Sequence, residues 1–145
     1  MPSQFNSYID NIDTEFWRGV CLRHGELRHY EKGDEFIAAG TVGRYIGYIE
    51  SGALKYECYS SDGTPHVIGL EFAGHFVCDF PFSLYGQKSR SSIIATTPCD
   101  IHCIPSAWVA EQMKADSVMK DKVEEVTRHV FATLYDRYVD LEGVS

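Results

Sequence analysis

The stretch RYIGYIESGALKYECYSSDGTPHVIGLEF, residues 44–72, decides the fold of this protein. It contains three short runs rich in Val, Ile, Tyr and Phe, which occupy residues 44–49, 53–59 and 66–72. Such runs, bounded by glycine and polar residues, are typical of β-strands. The pair Asp62-Gly63 lies between two of the runs and predicts a hairpin with a type I′ turn, which requires positive φ at both central residues.

The same alternation of turn glycines and apolar runs continues on both sides of this stretch. Turn glycines, mostly 11 or 12 residues apart, occur at Gly33, Gly40, Gly52, Gly63, Gly74 and Gly86. A fourth apolar run occupies residues 92–97. In a strand that follows it, Cys99 and Cys103 would share one face and His102 would lie on the other. Many short strands with regular turns and no helix between them indicate an antiparallel roll or barrel.

Helical spacing of apolar residues predicts helices before and after this roll. The first helix is expected at residues 5–24, with Gly25 as its stop. After the roll, Ser106 is expected to cap a short helix that ends at Met113 or Lys114.

A longer helix is expected at residues 118–141, with Asp116 or Ser117 as its cap. One side of it carries residues at coiled-coil spacing, namely Thr127, Phe131, Leu134, Tyr138 and Leu141. A neighbouring apolar stripe contains Val123, Val126 and Val130. Two stripes predict two contacts, one with the roll and one with a second copy of the helix. The alternative is an amphipathic helix that lies on its own roll through the valines alone.

Length and charge restrict the class of protein. A sequence of 145 residues suits one domain, which we expect to be mainly β and of the α+β class. Its parts are an N-terminal helix at 1–24, the roll at 25–105 and the two helices at 106–145. Thirteen Lys and Arg against 21 Asp and Glu give a net charge of −8. This balance argues against nucleic-acid binding by these residues, because that affinity depends on neutralising phosphates.

The sequence also predicts a cytoplasmic protein. No apolar run approaches the roughly 20 residues that span a bilayer, and the polar, acidic N-terminus does not resemble a signal peptide. Five cysteines without CxxC spacing make a disulfide framework or a structural zinc site unexpected. Small buried apolar residues are the favoured interpretation of these cysteines, ahead of a metal or iron–sulfur role.

The order of helix, eight-stranded roll, short helix and long helix resembles the cyclic-nucleotide-binding sensor domain of Crp/Fnr-type transcription regulators. EKGDEFIAAG (31–40) and YIGYIESGALK (45–55) resemble the opening pattern of that family. GHFVCDF (74–80) resembles the start of its phosphate-binding cassette, and SRSSIIATTPCDI (89–101) resembles the end of the cassette and the next strand. The resemblance covers roughly residues 5–141. It implies a double-stranded antiparallel β-helix, or jelly roll.

The resemblance also implies a ligand site. In this family the cassette holds a cyclic phosphate and a ribose hydroxyl inside the roll. Arg90 matches the Arg that binds the phosphate, and Asp79 matches the Glu that binds the ribose. The expected ligand-binding residues are Cys78, Asp79, Arg90 and Ser91. The expected effector is a small anion such as cAMP or another cyclic nucleotide, with no catalytic residue and no metal.

The cassette departs from the family pattern in four ways. Asp79 is one methylene shorter than Glu, and Cys78 stands where the family has Gly. Pro81 lacks an N–H in a segment expected to donate to phosphate, and the stretch from Asp79 to Arg90 is one residue longer than usual. Together these changes argue against tight binding of an ordinary cyclic nucleotide.

Structural roles compete with binding at these positions. Arg90 could be a surface residue paired with a carboxylate, and Cys78 could be a small core residue. Asp79 could cap a short helix that begins near Phe80.

The sequence therefore predicts the effector-sensing and dimerisation part of a Crp/Fnr-like regulator, and not an enzyme. DNA contact would need a helix-turn-helix domain that these residues lack, so the chain is either a part of such a regulator or a stand-alone sensor. A cupin-like metal enzyme is an alternative, although the six histidines form no H-x-H pair. A redox or haem sensor of the same fold is a third, although the N-terminal region contains only Cys21.

Overall fold

The computed structural model describes residues 12–79 and 82–141, and the side chains of these residues as far as 132. A helix precedes eight strands, a 3₁₀ helix interrupts them, and two helices follow. The elements are α1 (Thr14–His24), β1 (Glu26–Tyr30), β2 (Glu35–Ile37), β3 (Tyr45–Ser51), β4 (Ala53–Tyr59), β5 (Pro65–Phe72), β6 (Phe76–Val77), η1 (Phe82–Tyr85), β7 (Ser92–Ala95), β8 (Cys99–Pro105), α2 (Ser106–Ala115) and α3 (Ser117–Leu141).

The strands form two antiparallel four-stranded sheets. One has the order β1-β8-β3-β6 and the other the order β2-β7-β4-β5. Strands adjacent in a sheet are therefore mostly distant in sequence, as in a roll whose backbone alternates between two layers. The predicted fold class, a mainly β jelly roll with added helices, is confirmed.

The first core fills the space between the two sheets. Antiparallel register places Leu54 opposite Ala95 and Gly47 opposite Cys103, so these positions share the inner faces. This core, here called the roll core, contains Phe36, Ile37, Ile49, Leu54, Val77, Ile93, Ala95, Cys99, Ile101 and Cys103. Cys99 and Cys103 face it as predicted, and His102 lies on the other face of β8.

The second core lies between the outer face of the β3–β8 sheet and the helices. This helical core contains Ile12, Trp17, Val20, Cys21, Ile46, Phe76, Leu84, Ile104, Val109, Met119, Val123 and Val126. Asp13 ties α1 to α3, because its carboxylate accepts from Lys122 Nζ at 2.7 Å and its backbone N–H donates to Glu125 at 3.0 Å.

The β4–β5 hairpin forms as predicted, but its turn type is not the predicted one. None of the described residues other than glycine has positive φ, so Asp62 cannot occupy the first central position of a type I′ turn. Gly63 N–H donates to Ser60 C=O at 2.9 Å, and Gly63 itself has φ +86°. This is a type I turn followed by a left-handed glycine. Asp62 stabilises it by accepting from Ser60 Oγ and Thr64 N–H, and these bonds lower its pKa to about 2.

Within the described residues, the N-terminal helix begins at Thr14 and not before it. Asp13 has non-helical φ and ψ and accepts from Phe16 N–H at 3.0 Å, so it caps a helix that starts at Thr14. The predicted helix 5–24 is thus interrupted at Asp13, and its residues before 12 lie outside the described part. Gly25 ends the helix as expected, because its N–H donates to Cys21 C=O at 2.9 Å.

Of the two N-caps predicted for the last two helices, one is wrong and one is confirmed. Ser106 is the first residue of α2 and is buried, and Pro105 occupies the cap position without a side-chain hydrogen bond. The predicted Ser106 cap is therefore wrong. Asp116 does cap α3, since its Oδ1 accepts from Val118 N–H at 2.9 Å and from Met119 N–H at 3.3 Å.

All six predicted turn glycines have positive φ. Gly52, in the turn between β3 and β4, has a second constraint besides its φ of +95°. A Cβ at this position would overlap the carbonyl oxygen of Pro98 and lie 2.9 Å from Cys99 Cα.

Gly52→Ala should therefore destabilise the fold more than Gly63→Ala does. Gly63 has similar φ but open space around it, so its substitution costs about 1–2 kcal/mol of left-handed strain. Gly52→Ala adds steric overlap and should cost about 2–4 kcal/mol. Urea unfolding of both variants measures this difference, and equal losses would contradict the close approach at Gly52.

Candidate functional site

The segment between β6 and β7 contains the four predicted ligand residues. Its first part passes between the two cores. Val77 packs in the roll core, and Cys78 packs against the helical core. Because successive side chains of an extended backbone point to opposite sides, the side chain of Asp79 is expected on the roll side. Only 7% of the surface of Asp79 is exposed.

The Asp79 carboxyl is buried beside the Ser89 hydroxyl. Its Oδ2 has no hydrogen-bond partner among the residues that the structure describes. Burial raises its pKa to about 6, and the nearby Ser89 hydroxyl offsets part of that rise. A buried carboxylate that lacks a donor is costly when ionised.

The predicted alternative, in which the carboxylate of Asp79 caps a short helix, is not what the structure shows. The helix is the 3₁₀ turn η1, and Ser83 N–H donates to the backbone carbonyl oxygen of Asp79 at 3.2 Å. The backbone of Asp79, and not its carboxylate, therefore makes the contact with η1.

Ser89 connects Asp79 to Ser91. The Ser89 hydroxyl donates to Ser91 C=O at 2.7 Å and accepts from Ser91 N–H at 3.2 Å. A hydroxyl has one proton to donate, so Ser89 cannot donate to Asp79 while it donates to Ser91. The Asp79 carboxylate and the Ser91 carbonyl oxygen therefore compete for the same hydroxyl hydrogen.

The end of the cassette is fixed to the loop after β2. Gly40 N–H donates to Ser89 C=O at 2.9 Å, and Ser89 N–H donates to Thr41 C=O at 2.7 Å. Ala39 N–H donates to the buried Ser92 hydroxyl at 2.9 Å. These three bonds hold residues 89–92 in place, with the Ser89 hydroxyl beside the Asp79 carboxyl.

Arg90 lies at the surface, and Ser91 is half-buried. Among the described residues, Arg90 forms no ion pair, so the alternative of a surface Arg paired with a carboxylate has no support within that part of the protein. The structure thus joins Asp79 and Ser91 through Ser89 and leaves Arg90 exposed. Cys78 differs from the other three predicted ligand residues because its thiol side points to the helices.

The sequence reasoning missed two groups of buried polar residues. The hydroxyls of Ser83, Ser89 and Ser92 are buried around the cassette, and an isolated serine gives no sequence signal of burial. Glu71 is 2% exposed and lies opposite Leu54, so it faces the roll core. His75 Nδ1 lies 3.2 Å from Glu71 Oε2. A carboxylate inside an apolar strand run was the signal that could have revealed it.

The long helix uses its two stripes differently. Val123 and Val126 are fully buried in the helical core, and Val130 packs against it. Phe131, on the other stripe, is 73% exposed. Thr127 is half-buried, and its hydroxyl donates to Val123 C=O at 2.9 Å. The side chains of Leu134, Tyr138 and Leu141 lie outside the described part.

Two properties of the described residues bear on the alternative functions. No group of three or more His, Cys, Asp or Glu residues within 12–79 and 82–132 is placed to hold a metal ion. None of the helices described is long and apolar enough to cross a membrane.

The comparison with known proteins identifies the family. Residues 27–116 match the family model for the cyclic nucleotide-binding domain, and the protein belongs to this family. The predicted resemblance to the sensor domain of Crp/Fnr-type regulators is confirmed at the level of family and fold. A comparison with curated protein sequences finds no match.

Solved structures of regulators share the fold. FixK2 from Bradyrhizobium japonicum has a TM-score of 0.68 at 15% identity over 79% of this sequence. Oxidised CprK in complex with o-chlorophenolacetic acid has a TM-score of 0.67 at 15% identity over 89% of this sequence. The c-di-GMP-responsive global regulator CLP from Xanthomonas campestris has a TM-score of 0.63 at 16% identity over 87% of this sequence. The match spans only 56%, 53% and 60% of the lengths of these three proteins.

Burial of Asp79 predicts a specific dependence of stability on pH. A carboxyl whose pKa rises from 3.8 to about 6 on folding favours the native state at low pH, where it is neutral in both states. This advantage is lost as the pH rises from about 4 to about 6, and the loss amounts to about 2–3 kcal/mol. Asp79→Asn removes the titration, so its stability relative to the wild type should be more favourable at pH 7.5 than at pH 4.5.

Chemical unfolding at both pH values measures this relative stability. Asp62→Asn is the matched control, because the pKa of Asp62 is lowered to about 2 and its carboxylate is ionised at both pH values. A difference between Asp79→Asn and the wild type that does not change with pH would contradict the burial of an ionisable Asp79.

Proposed function

We propose that this protein is the effector-sensing and dimerisation domain of a Crp/Fnr-like transcription regulator. It takes a small anionic effector at the cassette, with contacts from Cys78, Asp79, Arg90 and Ser91. Two copies pair through α3. DNA contact belongs to a helix-turn-helix domain outside these 145 residues.

One observation carries the proposal. Within a cyclic nucleotide-binding domain, at the cassette, the Oδ2 of the buried Asp79 has no partner among the described residues, and the Ser89 hydroxyl links this carboxyl to Ser91. Buried polar atoms without partners are rare in native proteins and need a physical explanation. A ligand group that donates a hydrogen bond to Asp79 would supply the missing partner.

The other end of the effector is argued from Arg90. Arg90 is exposed and directly precedes Ser91 in a protein of net charge −8. Arg supplies both charge and paired donors to phosphate or carboxylate groups. The names of two similar structures also describe acidic ligands, c-di-GMP for CLP and o-chlorophenolacetic acid for CprK. An anion that also carries a hydrogen-bond donor therefore suits this cassette best, and cAMP is one such molecule.

The side chain of Cys78 points away from the proposed ligand site. The thiol side of Cys78 packs against the helical core, so replacing Gly by Cys fills space on the helix side of the segment. The departure from the family pattern at this position is thus compatible with ligand approach from the roll side.

The proposed dimer is supported by the unequal burial of the two stripes of α3. The valines satisfy the contact with the protein's own roll. Phe131 remains exposed on the coiled-coil stripe, where a large aromatic ring gains from burial against an identical helix. The symmetric pairing of such a stripe with itself is an isologous contact.

Effector binding should depend on the charge of Arg90. Cyclic AMP, cyclic GMP and c-di-GMP at millimolar concentration are the probes, because a ligand that binds the native state raises the Tm. For whichever probe raises the Tm, Arg90→Ala should weaken binding about ten- to a hundred-fold in calorimetry, since a charge-assisted hydrogen bond contributes about 1.5–3 kcal/mol.

Lys88→Ala is the control, because it removes a positive charge two residues away. Equal losses in both variants would reduce the effect to general electrostatics and contradict the assignment of Arg90. Absence of a Tm shift with all three probes would contradict a nucleotide effector.

Dimerisation should depend on Phe131. Phe131→Glu places a charge in the proposed seam, so sedimentation velocity should show a monomer where the wild type sediments as a dimer. Val118→Glu is the control. Val118 is 55% exposed and lies 13 residues earlier, which places it on roughly the opposite side of the helix. A wild-type monomer, or a Phe131→Glu dimer, would refute the proposed pairing.

A further inference from the structure

A tyrosine at the start of β3 holds two arginines from different parts of the sequence. The guanidinium carbon of Arg28, on β1, lies 4.8 Å from the centroid of the Tyr45 ring, and that of Arg44 lies 5.5 Å from the same centroid. Arg28 and Tyr45 are half-buried, and Arg44 is exposed. These three residues are here called the arginine cluster.

Strand pairing directs Arg28 toward the inside of the roll. Arg28 lies opposite Ile101 in the pairing of β1 with β8, and Ile101 belongs to the roll core. Directly opposite residues of an antiparallel pair share a face of the sheet, so Arg28 lies on the inner face. Tyr45 packs against the same core. The backbone of Arg44 is fixed, because its C=O accepts from Ser106 N–H at 2.8 Å.

The side chains that interact with Arg28 do not neutralise it. A hydrogen bond with the Tyr30 hydroxyl raises the pKa of Arg28, and Tyr45 and Cys103 act in the same direction. Burial raises the pKa of Tyr30 and of Cys103 to about 12, so both are neutral at pH 7. The positive charge on the inner face therefore receives no counter-charge from Tyr30 or Cys103.

Neither arginine is paired with a carboxylate. None of the ion pairs formed within residues 12–79 and 82–132 includes Arg28 or Arg44. Glu26, two residues before Arg28 on the same face of β1, is exposed and pairs with neither of them. Two like charges held on one aromatic ring repel each other. A cation–π contact occupies the flat face of a guanidinium and leaves N–H donors at its edge for an anion.

We propose that the arginine cluster is a phosphate-binding subsite separate from the cassette. A phosphate group has more acceptor oxygens than a carboxylate, so it accepts hydrogen bonds from two guanidinium groups at once and removes the repulsion between them. The ligand class is a phosphate ion or a phosphate monoester. This inference goes beyond the proposed function and does not depend on it, because none of the three residues belongs to the cassette.

Titration of the complete 145-residue protein with inorganic phosphate, at an ionic strength kept constant with sodium chloride, tests the subsite. In isotope-labelled protein, the side-chain Nε–H signals of Arg28 and Arg44 should shift along one saturable curve in NMR spectra. The signal of Arg23, an exposed arginine of α1, should not shift. AMP is the second probe. Tighter binding of AMP than of phosphate assigns the site to organic phosphates, and equal binding assigns it to the phosphate ion.

Arg28→Gln should weaken phosphate binding about ten- to a hundred-fold, because it removes charge-assisted hydrogen bonds. Circular dichroism checks that the variant folds, and Arg23→Gln is the matched control for the loss of one positive charge. Unshifted Arg28 and Arg44 signals in the unmodified protein would overturn the subsite. Equal weakening by Arg28→Gln and Arg23→Gln would do the same.

Arg90→Ala separates this subsite from the cassette. Phosphate binding that is lost in Arg90→Ala and retained in Arg28→Gln places the anion at the cassette, so the arginine cluster is overturned and the proposed function stands. Phosphate binding that is lost in Arg28→Gln, together with cyclic nucleotide binding that Arg90→Ala leaves unchanged, supports the arginine cluster and contradicts the cassette assignment.

Discussion

The two-residue strand β6 connects the two cores, and the cassette depends on this connection. Phe76 stacks on Trp17 with ring centroids 5.7 Å apart, and Val77 is fully buried in the roll core. Backbone pairing with β3 fixes Phe76 opposite Tyr48 and Val77 opposite Gly47. Because successive residues of an extended strand point to opposite sides, this pairing decides where Cys78 and Asp79 can point. A slip of one residue would place the carboxyl among the helices.

The burial of Asp79 that follows from this pairing opposes stability. An ionised carboxylate with an unpaired oxygen destabilises the native state at neutral pH, and neutral or apolar residues of similar size would avoid that cost. Natural proteins retain such groups mainly where binding or catalysis requires them. The surrounding bonds from residues 39–41 to 89–92 have ordinary distances. Within the cassette, the unfavourable burial thus lies in the Asp79 carboxyl, as expected under the proposed function of a site completed by a ligand.

Much of the fold was predictable because its signals are local. A strand with one buried face alternates in sequence, and a turn with positive φ favours glycine, so β3, β4, β5 and the six turns were found. The errors also have local causes. Asp62-Gly63 suits either a type I′ turn or a left-handed glycine after a type I turn, and the pair alone does not distinguish them. Asp13 was hidden within a helical pattern that continues on both sides of it.

The candidate site was less predictable because tertiary contacts define it. Matching the family motif located Asp79 and Arg90, but not that one is buried and the other exposed. The hydroxyl of Ser89 matters only because backbone hydrogen bonds to Gly40 and Thr41 hold it beside Asp79. Glu71 faces the roll core because β4 and β5 pair in a register that shifts between Tyr56 and Glu57, where β5 has one extra residue. Such a register depends on both strands together and cannot be derived from either one.

The position of α3 connects the fold with the candidate site. Its valine stripe joins the helical core that also holds Phe76 and Leu84, the residues at the two ends of the cassette's first part. Cores of this density transmit small displacements, because residues that fit closely cannot move independently. A ligand that changes the hydrogen bonding of Asp79 therefore acts on the same packed layer that orients α3. Effector binding can then bias the orientation of the helix only by its differential affinity for the two orientations. In the proposed function, the Asp79 carboxyl provides that difference, because a donor on the effector supplies a partner that the described residues do not.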